Sequence, residues 1–174
     1  IADILSTYDD LIENNQKQIK LLEEAAQRLY KEWFFDLRFP GYEDTPIVDG
    51  MPEGWTEKSM AEICDSIGGG TPSTKIQDYY RDGKIRWVTP TDITRNNSLI
   101  LLDTDKKITE EGLNNSSAKM VPPYTILMTS RASVGFFGLC EHEVCTNQGF
   151  ISCLPYQENV RFYLLYNLMN RVDE

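Results

Sequence analysis

Apolar residues recur along the first 33 positions at alternating spacings of four and three: Ile1, Leu5, Tyr8, Ile12, Asn15, Ile19, Leu22, Ala26, Leu29 and Trp33. Such a repeat is a heptad seam, here apolar at every position except Asn15. No glycine or proline interrupts it. The segment therefore predicts one continuous helix, about 50 Å long from the rise per residue. Ile4, Leu11, Ala25 and Tyr30 widen the stripe beyond a two-stranded seam, so the helix faces more than one partner, or a partner helix and a globular body. An ordinary amphipathic helix lying on its own domain is the other reading. Roughly five heptads exceed what a domain of about 120 residues can cover, which favours pairing with another helix or another chain. Asn15 either sets register through its amide or is a tolerated defect of the seam.

The pattern changes after Trp33. In "FFDLRFPGYE", Pro40 and Gly41 are expected to end the helix, and "DTPIVDGMPEGWTE" reads as a connector punctuated by proline and glycine. From Trp55 onward, alternation and turn residues predict a short helix from Ser59 to Ser66. Strands are predicted over Ile85 to Thr89, Leu99 to Leu102, Thr125 to Ser130, Ser133 to Leu139 and Gly149 to Leu154, with a closing helix from Val160 to Arg171. The expected class is α+β: a long coiled-coil-type helix over 1–39, a linker over 40–54, and a mixed α/β domain with a curved sheet over 55–174.

Composition narrows the function. The 174 residues are 41% hydrophobic, with no apolar run near the eighteen or so that a membrane span needs. Ile1 opens directly into charged sequence without the basic start of a signal peptide, and the abrupt "NRVDE" end suggests a piece of a longer polypeptide. Cytoplasm is the expected compartment. Cys64, Cys140, Cys145 and Cys153 have no framework spacing and read as reduced core thiols. Cys140, His142, Cys145 and Cys153 as a zinc set is the sharper alternative, but tight Cys-x-x-Cys knuckles are missing.

The net charge of −10 is uneven. Residues 1–54 carry 5 basic and 12 acidic side chains, whereas 55–174 carry 12 and 15. Within the second part, Lys75, Arg81, Lys84, Arg86 and Arg95 outnumber Asp78, Asp82 and Asp92. What binds there depends on this local field rather than on the total.

The segment just before it, "SIGGGTPSTK", invites comparison with a phosphate-binding loop. A Walker A loop requires glycine immediately before its lysine and Ser/Thr after it; here Thr74 and Ile76 occupy those places. "VPPYTIL" is close to the motif of DNA amino-methyltransferases, but Val121 replaces the hydrogen-bonding first residue. His142, the sole histidine, lies between two glutamates without a Gly-x-Ser-x-Gly elbow, and no convincing nuclease spacing of carboxylates and lysine is found. No catalytic constellation emerges. What remains are polar loops: Gly69, Gly70, Thr71, Ser73 and Lys75; Trp87, Thr89 and Asp92; Arg131 and Ser133; Asn147 and Gln148. Side chains of these types contact DNA phosphates and base edges, with Arg131 the leading candidate because a guanidinium can grip guanine or phosphate through two hydrogen bonds.

Four blocks, "GWTEKSMAEICDSIGGGTPSTK", "IRWVTPTDI", "ILMTSRASVG" and "TNQGF", together resemble the target recognition domain of type I restriction-modification specificity subunits. The preceding "IADILSTYDDLIENNQKQIKLLEEAAQRLYKEWFFDLRFPGYE" resembles their helical conserved region. The resemblance implies a non-catalytic module reading one half of a split site in double-stranded DNA, on a recognition domain incomplete at its C-terminus. It implies that the helix spaces two such domains and docks methyltransferase subunits, with Leu5, Tyr8, Ile12, Asn15, Ile19, Leu22, Ala26, Leu29 and Trp33 as the interface. Restriction subunits, carrying motor and nuclease, would join through the complex, and the helix could also self-associate. No cofactor is then expected on this chain, since S-adenosylmethionine, ATP and magnesium would sit on partner subunits. The alternative is a stand-alone enzyme acting on nucleotides or DNA through the glycine loop.

Overall fold

The computed structural model describes residues 2–131 and 133–172, and for residues 2–4 it describes the backbone alone. The chain forms two compact units that divide between Lys58 and Ser59.

In the first unit, α1 spans Ala2–Tyr30 and passes into a π-helical turn, Lys31–Phe35. Asp36 N–H donates to Lys31 O at 2.8 Å, five residues back, and Arg38 N–H donates to Glu32 O at 2.7 Å, six residues back. Leu37 takes a left-handed conformation, φ 56°. The helix is thus closed by a six-residue wrap of the kind that consumes terminal carbonyls, ahead of Pro40 and Gly41. The last seam position, Trp33, lies in the π-helical turn and is half-buried. Ile1 lies outside the described residues. Leu5, Tyr8, Ile12, Ile19, Leu22 and Leu29 are all exposed, Leu22 at 70%. The expected connector is partly ordered. Strands β1 (Ile47–Val48) and β2 (Met51–Pro52) form a hairpin about Asp49 and Gly50, both at positive φ, as an Asp-Gly two-residue turn requires. Trp55 closes an aromatic group, its ring 5.7 Å from Phe34 and 5.0 Å from Phe39.

The second unit begins with α2 (Met60–Ile63), opened by a Ser59–Glu62 capping box, and β3 (Cys64–Gly68). Next come β4 (Ile85–Val88), α3 (Pro90–Thr94), β5 (Ile100–Leu101), β6 (Lys107–Ile108) and α4 (Glu110–Asn114). The rest is β7 (Met120–Val121), β8 (Ile126–Thr129), β9 (Phe137–Cys140), β10 (Val144–Thr146), β11 (Phe150–Pro155) and α5 (Arg161–Arg171). The expected α+β class holds, with the strands shared between two larger sheets. One sheet has the order β6-β4-β10-β7, the other β3-β11-β8-β9-β5. The β4–β10 and β5–β9 pairs are parallel; the other pairs in these sheets are antiparallel.

Alternation along the strands sorts side chains into three apolar layers. Val88, Val121 and Val144 of the first sheet meet Leu101, Leu127, Cys140 and Phe150 of the second. On the far face of the second sheet, Ile126, Leu139 and Cys153 pack with Leu164 and Leu165 of α5. On the far face of the first, Trp87, Ile108 and Cys145 pack with Tyr80 and Leu113. Neighbours such as Ile126 and Leu127 point oppositely, so the five-stranded sheet is apolar on both faces.

All four cysteines are buried and free, and among the described residues no three His, Cys, Asp or Glu side chains are grouped for a metal ion. Burial pushes the Cys145 and Cys153 thiols up to about 12. The neutral thiol is the form these sites favour, so their contribution to stability is complete below the ordinary thiol pKa of 9.0 and is lost as pH rises from there toward about 12. Between about pH 6 and 8 the denaturant midpoint should therefore vary with pH in the same way in the parent, Cys145→Ser and Cys153→Ser, while the parent protein loses stability above about pH 9 more steeply than either variant. Parallel alkaline profiles would contradict this.

Candidate nucleic-acid interface

Strand register decides which loops meet. Val88 lies opposite Thr146, Gly68 opposite Ile151, Thr129 opposite Phe150 and Phe137 opposite Met128. The segments that leave β3, β4, β8 and β10, and the one that enters β9, therefore gather at one end of the two sheets. The exposed acidic turn Glu141–His142–Glu143, which joins β9 to β10, lies at the other end of β10. Four separate polar segments, including residues 77 positions apart, thus become one surface.

Its hub is the turn between β10 and β11. Gly70 N–H donates to Thr146 O at 2.8 Å, and Asn147 N–H donates to Val88 O at 3.0 Å. Gly149 N–H donates to Asn147 Oδ1 at 2.8 Å. Phe150 N–H closes the turn on Asn147 O at 3.3 Å. Ser130 donates twice to Gly149 O, from N–H at 2.7 Å and from its hydroxyl at 3.2 Å. The Thr71 hydroxyl donates to Gln148 Oε1. The segments that leave β3, β4 and β8 are each tied to this one turn.

The glycines serve that packing. A Cβ on Gly69 would stand 2.0 Å from Asn147 O, and one on Gly70 would stand 2.2 Å from Ala118 N. Gly70 O accepts the Trp87 indole N–H at 3.0 Å. The Tyr80 ring stands edge-on to Trp87, and its hydroxyl donates to Pro72 O at 2.6 Å. The expectation that Gly69 and Gly70 belong to a DNA-contacting loop is corrected: their missing side chains let the chain approach itself. Trp87 is corrected likewise, being buried with its donor engaged. So are Thr89 and Asp92, which cap α3: Asp92 Oδ2 accepts Thr89 N–H and hydroxyl at 2.7 and 2.6 Å, while Oδ1 accepts Asp105 N–H at 2.8 Å. With the polar groups of Gly70 used internally, the enzyme reading of the glycine loop loses its physical basis.

Thr71, Ser73, Lys75, Arg131 and Gln148 remain exposed, with Ser133 and Asn147 half-buried. The surrounding charge is less free than its sequence. Arg86 Nε and Lys107 Nζ grip Asp103 at 2.9 and 3.0 Å. Lys107 above all, then the Thr104 N–H, hold that carboxyl below the usual range. Arg81 faces Asp78 at 3.6 Å. Among the described residues, Lys75, Lys84, Arg95 and Arg131 form no ion pair.

Sequence reasoning missed Val134 and Phe136, 61% and 46% exposed on the hairpin that carries Arg131. It read Ser133 to Leu139 as strand throughout, but β9 begins at Phe137. Gly135, φ 83°, packs so closely that a Cβ would stand 2.2 Å from Val172, and this turn leaves its two apolar neighbours outside. Exposed Lys119 was also missed; it precedes Met120, which pairs with Cys145, and so sits at the same end of β10.

Two solved structures share the architecture. One is the crystal structure of the HsdS subunit from Thermoanaerobacter tengcongensis: TM-score 0.54, 23% identity, covering 96% of this chain and 37% of that one. The other comes from work on complex assembly and conformational transition of the type I R-M system, with TM-score 0.52, 23% identity and coverages of 95% and 39%. The fold is that of these two structures. The family described as Type I restriction modification DNA specificity domain matches residues 52–171, and the chain belongs to that family. Relatives include the MjaIX specificity subunit of Methanocaldococcus jannaschii, 36% identical over 119 residues, which are 68% of this chain and 27% of that protein. The EcoR124I/EcoR124II specificity subunit of Escherichia coli is 31% identical over 123 residues, 67% of this chain and 29% of that protein. The HindI specificity subunit of Haemophilus influenzae is 22% identical over 227 residues, with coverages of 97% and 49%. The chain thus spans about half or less of the length of these relatives.

Proposed function

We propose that the chain is a non-catalytic DNA-reading module of a type I restriction-modification complex, whose second unit recognises half of a bipartite duplex site. The observation that carries this reading is the convergence of polar loops at one end of the two sheets in a member of the specificity-domain family. Arg131, Thr71, Ser73, Lys75, Ser133, Asn147 and Gln148 form the contact surface. Gly69, Gly70, Trp87, Thr89 and Asp92 hold it in shape. The seam from Leu5 to Trp33, including Asn15 and the half-buried Ala26, spaces recognition domains and docks methyltransferase subunits, which bring S-adenosylmethionine and most cationic contacts; ATP and magnesium belong to the restriction subunits. The complex works in the cytoplasm.

Arg131→Ala in the assembled complex is expected to lower affinity for the cognate duplex by about 1–3 kcal/mol and to relax base choice at one position of the half-site. Binding titrations against a randomised half-site measure both effects. Unchanged affinity and unchanged site choice would remove Arg131 from the interface. The chain alone, at net charge −10, should bind DNA feebly and with little selectivity at moderate salt, because phosphate neutralisation supplies much of such affinity.

A further inference from the structure

Three main-chain carbonyls of the turn between β10 and β11 are hydrogen-bonded within the domain. Thr146 O is taken by Gly70 N–H, Asn147 O by Phe150 N–H, and Gly149 O by Ser130. Both side-chain carbonyls are engaged as well: Asn147 Oδ1 receives Gly149 N–H at 2.8 Å, and Gln148 Oε1 receives the Thr71 hydroxyl. The carboxamide nitrogens, Asn147 Nδ2 and Gln148 Nε2, have no partner among the described residues. A primary amide nitrogen carries two N–H donors and no acceptor. The two side chains at the tip of the turn accordingly offer donors, with Gln148 exposed and Asn147 half-buried.

A donor face of this kind suits an oxygen-rich anion. Among base edges only guanine's major-groove side and the A·T minor groove offer acceptors alone, and guanine's is gripped most often by arginine or lysine, whereas an amide reading adenine uses its oxygen and its nitrogen together. Here Thr71 already holds the Gln148 oxygen and turns the nitrogen outward. Phosphate oxygens accept only, and contacts to them set the register of a protein on the duplex without carrying base information. From these engaged acceptors, we infer that Gln148, oriented by Thr71 and supported by Asn147, grips a phosphate of the DNA backbone and does not read a base. Thr71 is then a positioning residue, and site choice falls to other side chains, Arg131 first.

This inference rests on the DNA-reading function proposed above, and the test separates the two. The full-length specificity subunit, in its assembled complex, is titrated with the cognate duplex and with a duplex scrambled in the half-site, over a salt series. Gln148→Ala should weaken both by about the same factor, roughly tenfold for one hydrogen bond to a charged group. The ratio between the duplexes should stay constant, as should the salt slope, because a neutral side chain releases no counterion. Gln148→Glu should weaken both further, and Thr71→Val should reproduce part of the Gln148→Ala loss. A neutral methylphosphonate at the contacted phosphate should abolish the difference between parent and Gln148→Ala. A collapse of the cognate-to-scrambled ratio in Gln148→Ala would mean that the amide reads a base and would overturn the inference. No change on either duplex would overturn it too; if Arg131→Ala still lost affinity, the interface would stand and the phosphate contact alone would fall. Were Arg131→Ala also silent, the proposed DNA surface itself would fail.

Discussion

Gly70→Val is expected to lower the stability of the second unit by about 3 kcal/mol, and with it to abolish the DNA binding proposed for the assembled complex. The new Cβ would stand 2.2 Å from Ala118 N and 2.4 Å from Ser117 C, backbone atoms that cannot rotate away. Relief requires the strand-end loop to separate from residues 117 and 118. That movement stretches the Gly70 N–H bond to Thr146 O and the Trp87 indole bond to Gly70 O. Overpacking in a close-packed site costs typically 1–3 kcal/mol, and two internal hydrogen bonds are strained here besides. Urea denaturation of the variant measures the loss. A loop that merely contacted DNA would give the opposite pattern, with full stability and weakened binding, and such a result would restore the reading of Gly70 as a ligand-facing residue.

Asp92→Ala should cost a similar amount, about 3 kcal/mol, through a different mechanism. The carboxylate is buried, 7% exposed, and accepts from Thr89 N–H, the Thr89 hydroxyl and Asp105 N–H. Loss of a helix cap costs about 1 kcal/mol, and donors left without partners in the interior add about 1–3 kcal/mol. Asp92→Asn keeps the shape and one acceptor oxygen, so it should recover part of the loss. Thermal unfolding of both variants is the check. Equal stability of parent and Asp92→Ala would return Asp92 to the list of possible DNA contacts, since a carboxylate can accept from a cytosine amine.

The surface was legible in kind but not in assignment. Thr71, Arg131 and Gln148, expected from their hydrogen-bonding chemistry on a DNA-facing surface, are exposed at the loop end of the sheets. Trp87, Thr89 and Asp92 carry the same chemical types and face inward. Their donors and acceptors are matched by Gly70, Asp105 and one another, and those partners are set by the folded backbone. Likewise Arg86 counted as a free cation until Asp103, 17 positions away, came within reach of it.

What the sequence determined by itself was local. The seven-residue repeat and the absence of breakers through Trp33 specify a long helix, since backbone hydrogen bonds four residues apart need only neighbours. The runs of alternating apolar residues specify strands for the same reason. Tertiary structure decided which strands share a sheet, because β4 pairs in parallel with β10 and β3 pairs with β11, contacts whose partners lie far along the chain. Register then carried Gly68, Val88, Thr129 and Thr146 to a common end, and close packing there turned the three-glycine stretch from a suspected ligand loop into a joint between sheets. Pairings between distant segments depend on burying two faces of one sheet at once, and that condition is met only by the whole domain.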